Sequence, residues 1–236
     1  MAPSTEFDES SGQPLWLPAP KAVLFDIDGT LVDSNYLHVD AWGRAFAEVG
    51  RPVEAWRIHR SIGLDGDKLL DALLGDDVEE RGDHAKELHT EYYSRLTDRL
   101  RALPQAVTLL HALSDAGIRV VLATSAPKDE LDILLAVLDC DDALHATTSS
   151  DDVGTAKPEP DIVNVALERA GVDASEALFV GDAVWDMKAA GHAGVRAIGV
   201  RTGGISSAEL LDAGALRVFD DPAAVLADFE GRPASQ

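Results

Sequence analysis

The sequence contains a single cysteine, Cys140, so no disulfide bond can form within the chain. We interpret Cys140 as a small buried or half-buried residue, and a lone cysteine is compatible with a reducing cytoplasm, where we expect the protein to act. The sequence has no run of about 18 apolar residues, which predicts no transmembrane helix and no membrane partner. The N-terminus lacks a basic region followed by an apolar stretch, so we predict no secretory signal.

Positive charge is also scarce. Lysine and arginine together number 20, against 42 aspartate and glutamate residues, and the formal net charge is −22. A surface of this kind repels a phosphate backbone, so we expect no nucleic-acid partner. An anionic small molecule remains possible as a ligand, because it needs only a local cluster of hydrogen-bond donors.

Apolar residues make up 46% of the chain, which is enough for a sizeable core. Five apolar segments predict buried strands, at residues 21–26, 119–123, 177–180, 197–200 and 216–219. Helical periodicity separates them, at residues 106–116, 128–138, 160–170 and 184–193. Strands that alternate with helices predict an α/β fold, with a Rossmann-like parallel sheet core and helices on both of its faces.

One region breaks this alternation. Between residues 35 and 103 the sequence has helical periodicity and no good strand, with predicted helices at residues 36–49, 53–60, 68–74 and 78–101. We therefore predict an all-helical cap domain at residues 35–103, inserted into a core domain made of residues 21–34 and 104–236. Residues 1–20 are predicted to form a flexible tail, with Leu15, Trp16 and Leu17 resting on the core. A cap inserted after the first strand would cover the carboxyl ends of the strands as a lid.

The first predicted strand ends in VLFDIDGTLVDS, which places Asp26 and Asp28 two residues apart before a Gly-Thr turn. Polar side chains also follow or flank the later strands: Thr124, Ser125, Lys157, Asp182 and Asp186. Because parallel strands present their carboxyl ends at the same edge of a sheet, we expect these groups to converge.

The residue types indicate a chemistry for such a site. An ionised carboxylate such as that of Asp26 can act as a nucleophile without a base, and phosphorus is a suitable target. The carboxylates of Asp26, Asp28 and Asp182 repel one another at close range, and their oxygens favour Mg²⁺ as the missing positive partner. That ion would bridge Asp26 and a phosphate oxygen, and Lys157 would stabilise the transferring phosphoryl group.

Each of these residues has a simpler interpretation when it is taken alone. Lys157 could be a surface lysine, Thr124 a helix N-cap, and Asp186 an acidic residue that favours the N-terminus of a helix. Two other Asp-x-Asp pairs, at residues 65–67 and 139–141, end no buried strand, and we interpret both as solvated loop residues. The four signals in this order favour one common site over these separate interpretations.

The motifs FDIDGTLVDS, LATSA, AKPEPD and VGDAVWDM occur in this order, and with them the chain resembles the phosphatase branch of the haloacid dehalogenase superfamily. The resemblance implies a nucleophile at Asp26 and a general acid/base at Asp28. It also implies phosphate contacts from Thr124, Ser125 and Lys157, and a Mg²⁺ site formed by Asp26, the backbone carbonyl of Asp28, Asp182 and Asp186. The true dehalogenases lack the second aspartate of the first motif, so Asp28 indicates phosphoryl transfer.

The helical insert resembles the small cap of phosphoglycolate phosphatases and β-phosphoglucomutases. His38 occupies the place of the histidine at the cap hinge of the mutases, and it either touches substrate or is an inert polar residue. The mutase cap presents a G-x-S-R segment, whereas this chain has Gly63-Leu64-Asp65-Gly66, without the arginine. Arg60 or Lys68 could replace that arginine, and we predict Arg60 as a substrate contact, although a solvated helix face is the simpler interpretation of each.

These observations predict a Mg²⁺-dependent phosphatase that hydrolyses a small phosphorylated metabolite through an aspartyl-phosphate intermediate. The alternatives are a β-phosphoglucomutase-like mutase and a non-catalytic phosphate-binding relative. The predicted partner is the small phosphorylated metabolite, and the chain is expected to be a monomer or a homodimer.

Overall fold

The computed structural model describes residues 15–16, 18–154 and 157–231. Within these residues, six parallel strands form one sheet with the spatial order β3-β2-β1-β4-β5-β6. The strands are β1 (Ala22–Phe25), β2 (Arg119–Ala123), β3 (Ala146–Thr148), β4 (Ala177–Gly181), β5 (Arg196–Val200) and β6 (Val218–Phe219). The central strands β1 and β4 are buried along their whole length, as expected for a parallel sheet covered on both faces.

Helices cover both faces of this sheet. The helices are α1 (Asn35–Glu48), α2 (Ala55–Ser61), α3 (Gly66–Leu74), α4 (Val78–Ser94), α5 (Ala106–Asp115), α6 (Lys128–Leu138), α7 (Asp161–Ala170), α8 (Val184–His192), α9 (Ser207–Asp212) and α10 (Pro222–Glu230). One apolar cluster joins the sheet to α5, α6 and α10, and a second joins its other face to α7 and α8. The predicted α/β architecture is therefore confirmed.

Helices α1 to α4 lie together between β1 and α5 in the chain. They share a third apolar cluster, which includes Trp42, Phe46, Ile58, Leu70 and Leu88. This cluster gives the helical insert its own core. The domain boundaries at residues 34/35 and 103/104 stay a prediction.

The two connections between the sheet and these helices run side by side. Val32 and Ala102 form an antiparallel bridge. The Asp33 amide donates to the Arg101 carbonyl at 2.9 Å, and the Leu103 amide donates to the Leu31 carbonyl at 2.8 Å. The outgoing and returning segments thus form a short paired ribbon below the helices.

Several predicted boundaries were wrong. The helix predicted at residues 78–101 ends at Ser94, because Leu96 and Leu100 turn away to join the core under the sheet. The strand predicted at 216–219 is limited to Val218–Phe219, and the prediction missed β3, a strand of three residues at the edge of the sheet. Helices α9 and α10 were not predicted either.

The segment before β1 is anchored at Trp16. Leu15 and Trp16 are buried in the core, as predicted. The Trp16 indole Nε1 donates to Asp228 Oδ2 at 2.8 Å, and the ring meets Phe229 edge-on with centroids 4.9 Å apart. Leu17 and residues 1–14 of the predicted tail lie outside the described residues. Among the helices of the described chain, none is long and apolar enough to cross a membrane.

Candidate active site

Strands β1 and β4 are neighbours, and this pairing brings the acidic residues that follow them together. The Asp26 amide donates to the Val180 carbonyl at 3.0 Å, so Asp26 lies beside the end of β4, where Asp182 follows. Asp186 lies in the first turn of α8 and its side chain is also buried. One carboxylate oxygen from each of the three residues lies within 4.8 Å of the others.

Lys157 is fully buried against this acidic cluster. Its Nζ lies 2.5 Å from Asp26 Oδ1 and 2.7 Å from Asp186 Oδ1. Burial disfavours the ammonium, but the charges of Asp186 and Asp26 outweigh burial and hold the Lys157 pKa above its ordinary value. One ammonium faces three carboxylates, so a fully ionised cluster carries an excess of negative charge.

The pKa values of the carboxyl groups reflect this excess. Burial, together with repulsion from Asp186 and Asp28 and despite the charge of Lys157, raises the Asp26 pKa to about 7. Burial and repulsion from Asp186 and Asp26 also raise the Asp182 pKa well above its ordinary value. A cation shared by these oxygens would relieve the repulsion, and an all-oxygen donor set suits a hard divalent ion such as Mg²⁺. The residues present therefore fit the predicted metal.

The side chain of Asp182 is held in place by neighbours from the first motif. The Thr30 hydroxyl donates to Asp182 Oδ1 at 3.0 Å, and the Asn35 amide Nδ2 donates to Oδ2 at 2.8 Å. Two glycines leave room for this carboxylate. A Cβ at Gly203 would lie 1.6 Å from Asp182 Oδ2, and one at Gly29, where φ is +75°, would lie 2.5 Å from the same atom.

Asp28 lies in a different environment from Asp26. The Ser34 hydroxyl donates to Asp28 Oδ1 at 2.5 Å, and His38 Nε2 lies 3.4 Å from the same oxygen. Burial opposes ionisation of Asp28, but the hydrogen bonds and the charge of His38 outweigh burial and lower its pKa. Two carboxyl groups from one motif thus have pKa values shifted in opposite directions, a pattern typical of residues with separate roles.

His38 connects the helical insert to the sheet edge. Its Nε2 lies 3.3 Å from Glu130 Oε1 as well as near Asp28, and its ring stacks on Tyr93 with centroids 4.0 Å apart. Burial would lower the His38 pKa, but the carboxylates of Glu130 and Asp28 raise it to about 10. A charged His38 donates from both ring nitrogens, so His89 Nε2, 3.1 Å from His38 Nδ1, must accept. Burial and the nearby charge of His38 hold the His89 pKa well below its ordinary value.

Thr124 and Ser125 follow β2, beside β1. The Thr124 hydroxyl oxygen accepts from the Ala126 amide at 3.0 Å, and its side chain is buried. The Ser125 hydroxyl is buried without a hydrogen-bond partner in the described part of the chain. This hydroxyl therefore has a donor that no described residue accepts.

These groups open into a cavity of about 520 Å³ between the sheet edge and the helical insert. On the sheet side it is lined by Asp26, Asp28, Thr124, Ser125, residues 126–127 and Glu130, and by residues of the segment 150–154. On the other side it is lined by residues 62–67, His38, Trp42, Leu69, Lys86, His89 and Thr90. The strand ends and the insert therefore enclose one site.

The structure brings most of the predicted site residues together. Asp26, Lys157, Asp182 and Asp186 form the acidic cluster, and Asp28, His38, Thr124 and Ser125 line the cavity beside it. Arg60 is an exception, because it does not line the cavity. It pairs instead with Glu209 on the outside of the molecule. The prediction that Arg60 contacts substrate is therefore not supported.

Sequence reasoning missed four residues of the site, namely Thr30, Asn35, His89 and Glu130. Thr30 and Asn35 stand inside or just after the first motif, and their position was the available signal. No motif or strand end near Glu130 or His89 in the sequence indicates that either residue belongs to the site. The prediction of solvated loop residues at 65–67 was wrong for Asp65, which is half-buried and accepts from the Lys68 amide at 2.8 Å as the N-cap of α3. Asp67 is exposed, although it lies in the first turn of α3 and not in a loop, and both acids line the cavity.

Comparisons with known proteins show which family the chain belongs to. A family model for haloacid dehalogenase-like hydrolases matches residues 20–194. The chain is 34% identical to a phosphoglycolate phosphatase of Rhodospirillum rubrum over 225 residues, which covers 91% of this chain and 92% of the relative. It is 31% identical over 190 residues to a validoxylamine A 7'-phosphate phosphatase of Streptomyces hygroscopicus subsp. limoneus, covering 77% and 86% of the two chains. A solved hydrolase from Pseudomonas syringae superposes with a TM-score of 0.85 at 37% identity, covering 89% of this chain and 98% of that one.

Proposed function

The chain belongs to the haloacid dehalogenase-like hydrolases and is a phosphatase of the phosphoglycolate phosphatase-like type; from this premise we propose that it hydrolyses small phosphate monoesters with Mg²⁺ through an aspartyl phosphate. The observation that carries the proposal is the contrast between Asp26 and Asp28. The Asp26 carboxylate contacts Lys157 in the acidic cluster, whereas the Asp28 carboxylate is held by Ser34 and His38.

The metal would be held by Asp26, Asp182 and Asp186, together with the backbone carbonyl of Asp28. When bound, Mg²⁺ supplies the positive charge that lets a phosphate anion approach a carboxylate. Thr30 and Asn35 keep Asp182 directed into the cluster, and Lys157 orients Asp26 through its Oδ1.

In the proposed first step, an Asp26 oxygen attacks phosphorus and the bond from phosphorus to the leaving oxygen breaks. Asp28 gives the leaving oxygen a proton, so that an alcohol departs. In the second step, Asp28 accepts a proton from water while the water oxygen attacks phosphorus, which releases inorganic phosphate and restores Asp26. Because the lowered pKa keeps Asp28 ionised in the free site, the proton for the first step would come from the charged His38, whose Nε2 lies 3.4 Å from Asp28 Oδ1. The proton that Asp28 takes from water in the second step would return to His38 by the same path, which closes the cycle.

The remaining phosphate oxygens need hydrogen-bond donors. Thr124 and Ser125 line the same cavity as Asp26, and the Ser125 hydroxyl has no hydrogen-bond partner among the described residues. Both hydroxyls would donate to a bound phosphate. Lys157 would stabilise the charge that develops on the transferring group. The cytoplasm remains the proposed place of action, and monomer or homodimer the proposed state.

Turnover of p-nitrophenyl phosphate with Mg²⁺ tests the proposal. Asp26→Asn should lower kcat/KM by about 10³-fold or more, because it removes the nucleophile. Asp33→Asn, the same change at an exposed position of the same loop, is the matched control and should keep wild-type activity. Mass spectrometry of acid-quenched enzyme should find a phosphoryl group on Asp26.

Two results would contradict the proposal: substantial activity in Asp26→Asn, or phosphorylation at another residue. Assay of the same preparation with β-glucose 1-phosphate separates hydrolysis, which releases inorganic phosphate, from the mutase alternative, which yields glucose 6-phosphate. A preparation that binds phosphate but turns over neither compound would favour the non-catalytic alternative.

A further inference from the structure

The cavity is lined by more charged residues than the proposed phosphate site uses, and these charges affect which leaving groups it can hold. Apart from Asp26 and Asp28, its charged lining consists of four carboxylates and two cations: Asp65, Asp67, Glu130, Asp151, Lys86 and His38. No arginine lines the cavity among the described residues.

Both cations already have carboxylate partners. Lys86 Nζ lies 2.7 Å from Asp67 Oδ1, and His38 lies between Glu130 and Asp28. Neither is therefore a free receptor for a second anionic group of the substrate.

Asp65 and Asp151 accept hydrogen bonds from backbone amides and not from the two cations of the cavity lining. Asp65 accepts from the backbone amide of Lys68, and Asp151 accepts from the backbone amide of Lys128 at 3.2 Å. The ammonium groups of those two lysines lie near other carboxylates, Lys68 at 3.8 Å from Glu159 and Lys128 at 3.2 Å from Asp132. Apart from Asp26 and Asp28, the cavity lining therefore carries more negative than positive charge, with four carboxylates against two cations.

A negative lining repels a substrate carboxylate and accepts hydrogen bonds from hydroxyl or ammonium groups. We propose that this enzyme selects phosphate monoesters whose leaving group is polyhydroxylated or amine-bearing and carries no negative charge. The inference rests on the proposed phosphatase function and adds the class of substrate to it.

The dimensions of the cavity agree with such a substrate. Its volume of about 520 Å³ lies within the range of about 300–1,000 Å³ that is usual for sites of larger organic ligands. A two-carbon acid would leave most of this space to water. The side chains of Ile62, Leu64 and Leu69 add an apolar part to the lining, which suits the carbon skeleton of a polyol or sugar.

Two matched pairs of esters test the inference. Sorbitol 6-phosphate and 6-phosphogluconate differ only at one terminal carbon, which is a CH2OH group in the first and a carboxylate in the second. The compounds 2-hydroxyethyl phosphate and 2-phosphoglycolate form the corresponding two-carbon pair. We expect kcat/KM to favour the uncharged member of each pair by roughly tenfold, and added salt to reduce the ratio because it screens the repulsion. Where turnover is slow, inhibition constants against p-nitrophenyl phosphate give the same comparison.

Variants that each remove one negative charge from the cavity lining test whether that charge causes the discrimination against carboxylate esters. Asp65→Asn and Asp151→Asn should each improve the carboxylate member relative to its uncharged partner by about two- to tenfold. Asparagine at position 65 still caps α3, so the fold should be preserved. Asp71→Asn, on the same helix but outside the cavity lining, should leave the ratio unchanged.

Equal or better use of the carboxylate esters would overturn the inference. If Lys86 leaves Asp67 to bind a substrate carboxylate, 2-phosphoglycolate will be the preferred ester and Lys86→Gln will abolish that preference, which also overturns it. If the wild-type protein does not hydrolyse p-nitrophenyl phosphate at all, the proposed function itself is refuted. The two failures are therefore distinguishable.

Discussion

Glu130 is one of two carboxylates that keep His38 charged, and Glu130→Gln should shift the pKa of that histidine. The pKa of His38 rises from 6.5 to about 10 in the folded protein. At about 1.4 kcal/mol per pKa unit, the shift corresponds to roughly 5 kcal/mol of interaction that favours the charged ring.

The two carboxylates contribute from similar distances, 3.3 Å for Glu130 and 3.4 Å for Asp28. A unit charge near 4 Å in a partly buried site interacts with about 4 kcal/mol, or roughly 3 pKa units. Removal of the Glu130 charge should therefore bring the His38 pKa down to between about 7 and 8.

The sign of the pH dependence follows from linkage. Because the folded pKa of His38 lies above the unfolded value of 6.5, its contribution to stability is complete below pH 6.5 and is lost as pH rises towards about 10. In Glu130→Gln the same loss should be finished by about pH 8. The variant should therefore be destabilised most at pH 6, by about 3 kcal/mol, and progressively less at higher pH.

Two measurements check this prediction: NMR titration of the His38 ring, and urea unfolding at pH 6 and pH 9. Asp129→Asn removes a charge one residue away at an exposed position of α6 and should leave the His38 pKa where it is. A wild-type His38 that titrates near 6.5, or an unchanged pKa in Glu130→Gln, would refute the reasoning.

Three further predictions concern stability. Millimolar Mg²⁺ should raise the melting temperature over that in chelator by about 5–10 °C, and Asp182→Asn should reduce this shift; an equal shift in the variant would contradict the metal site. Gly203→Ala forces a Cβ onto the Asp182 carboxylate and should cost about 1–3 kcal/mol in urea unfolding, whereas Gly191→Ala, where no atom lies within 4 Å, should cost nothing measurable. Trp16→Ala should lower the free energy of unfolding by about 3 kcal/mol, because it removes a buried ring and its hydrogen bond to Asp228; a neutral effect would show that this anchor is dispensable.

Much of the acidic site was predictable from the sequence because its members stand at strand ends. A short run of apolar residues predicts a buried strand. A carboxylate directly after that strand must lie at the edge of the sheet where the carboxyl ends of the strands meet. Asp26 and Asp182 were predicted to converge for that reason, and the parallel pairing of β1 with β4 brings them together. Asn35 and Thr30 hold Asp182 by side-chain geometry that no periodicity encodes.

The contacts between the insert and the core were not predictable in this way. Glu130 lies 92 residues beyond His38, and their contact depends on how α1 is placed over α6, which one sequence does not specify. Arg60 shows the same limit: helical periodicity does not specify where α2 packs, and no residue of the described helix α2 lines the cavity, whereas Arg60 pairs with Glu209. At the sheet edge, β3 is short and contains two threonines, so it has too little apolar signal to be recognised.

The paired ribbon formed by the two crossings has a consequence for how substrate enters. Two separate flexible tethers would let the helical unit slide, twist and tilt. Here the two connecting segments are joined by the β-bridge between Val32 and Ala102 and by the backbone hydrogen bonds of Asp33 and Leu103. If one segment slid along the other, these hydrogen bonds would break. Bending across the ribbon breaks none of them. We therefore expect the helical insert to move by bending about the ribbon. The ion pair between His38 of α1 and Glu130 of α6 joins the insert to the core, and it would have to break when the insert moves away.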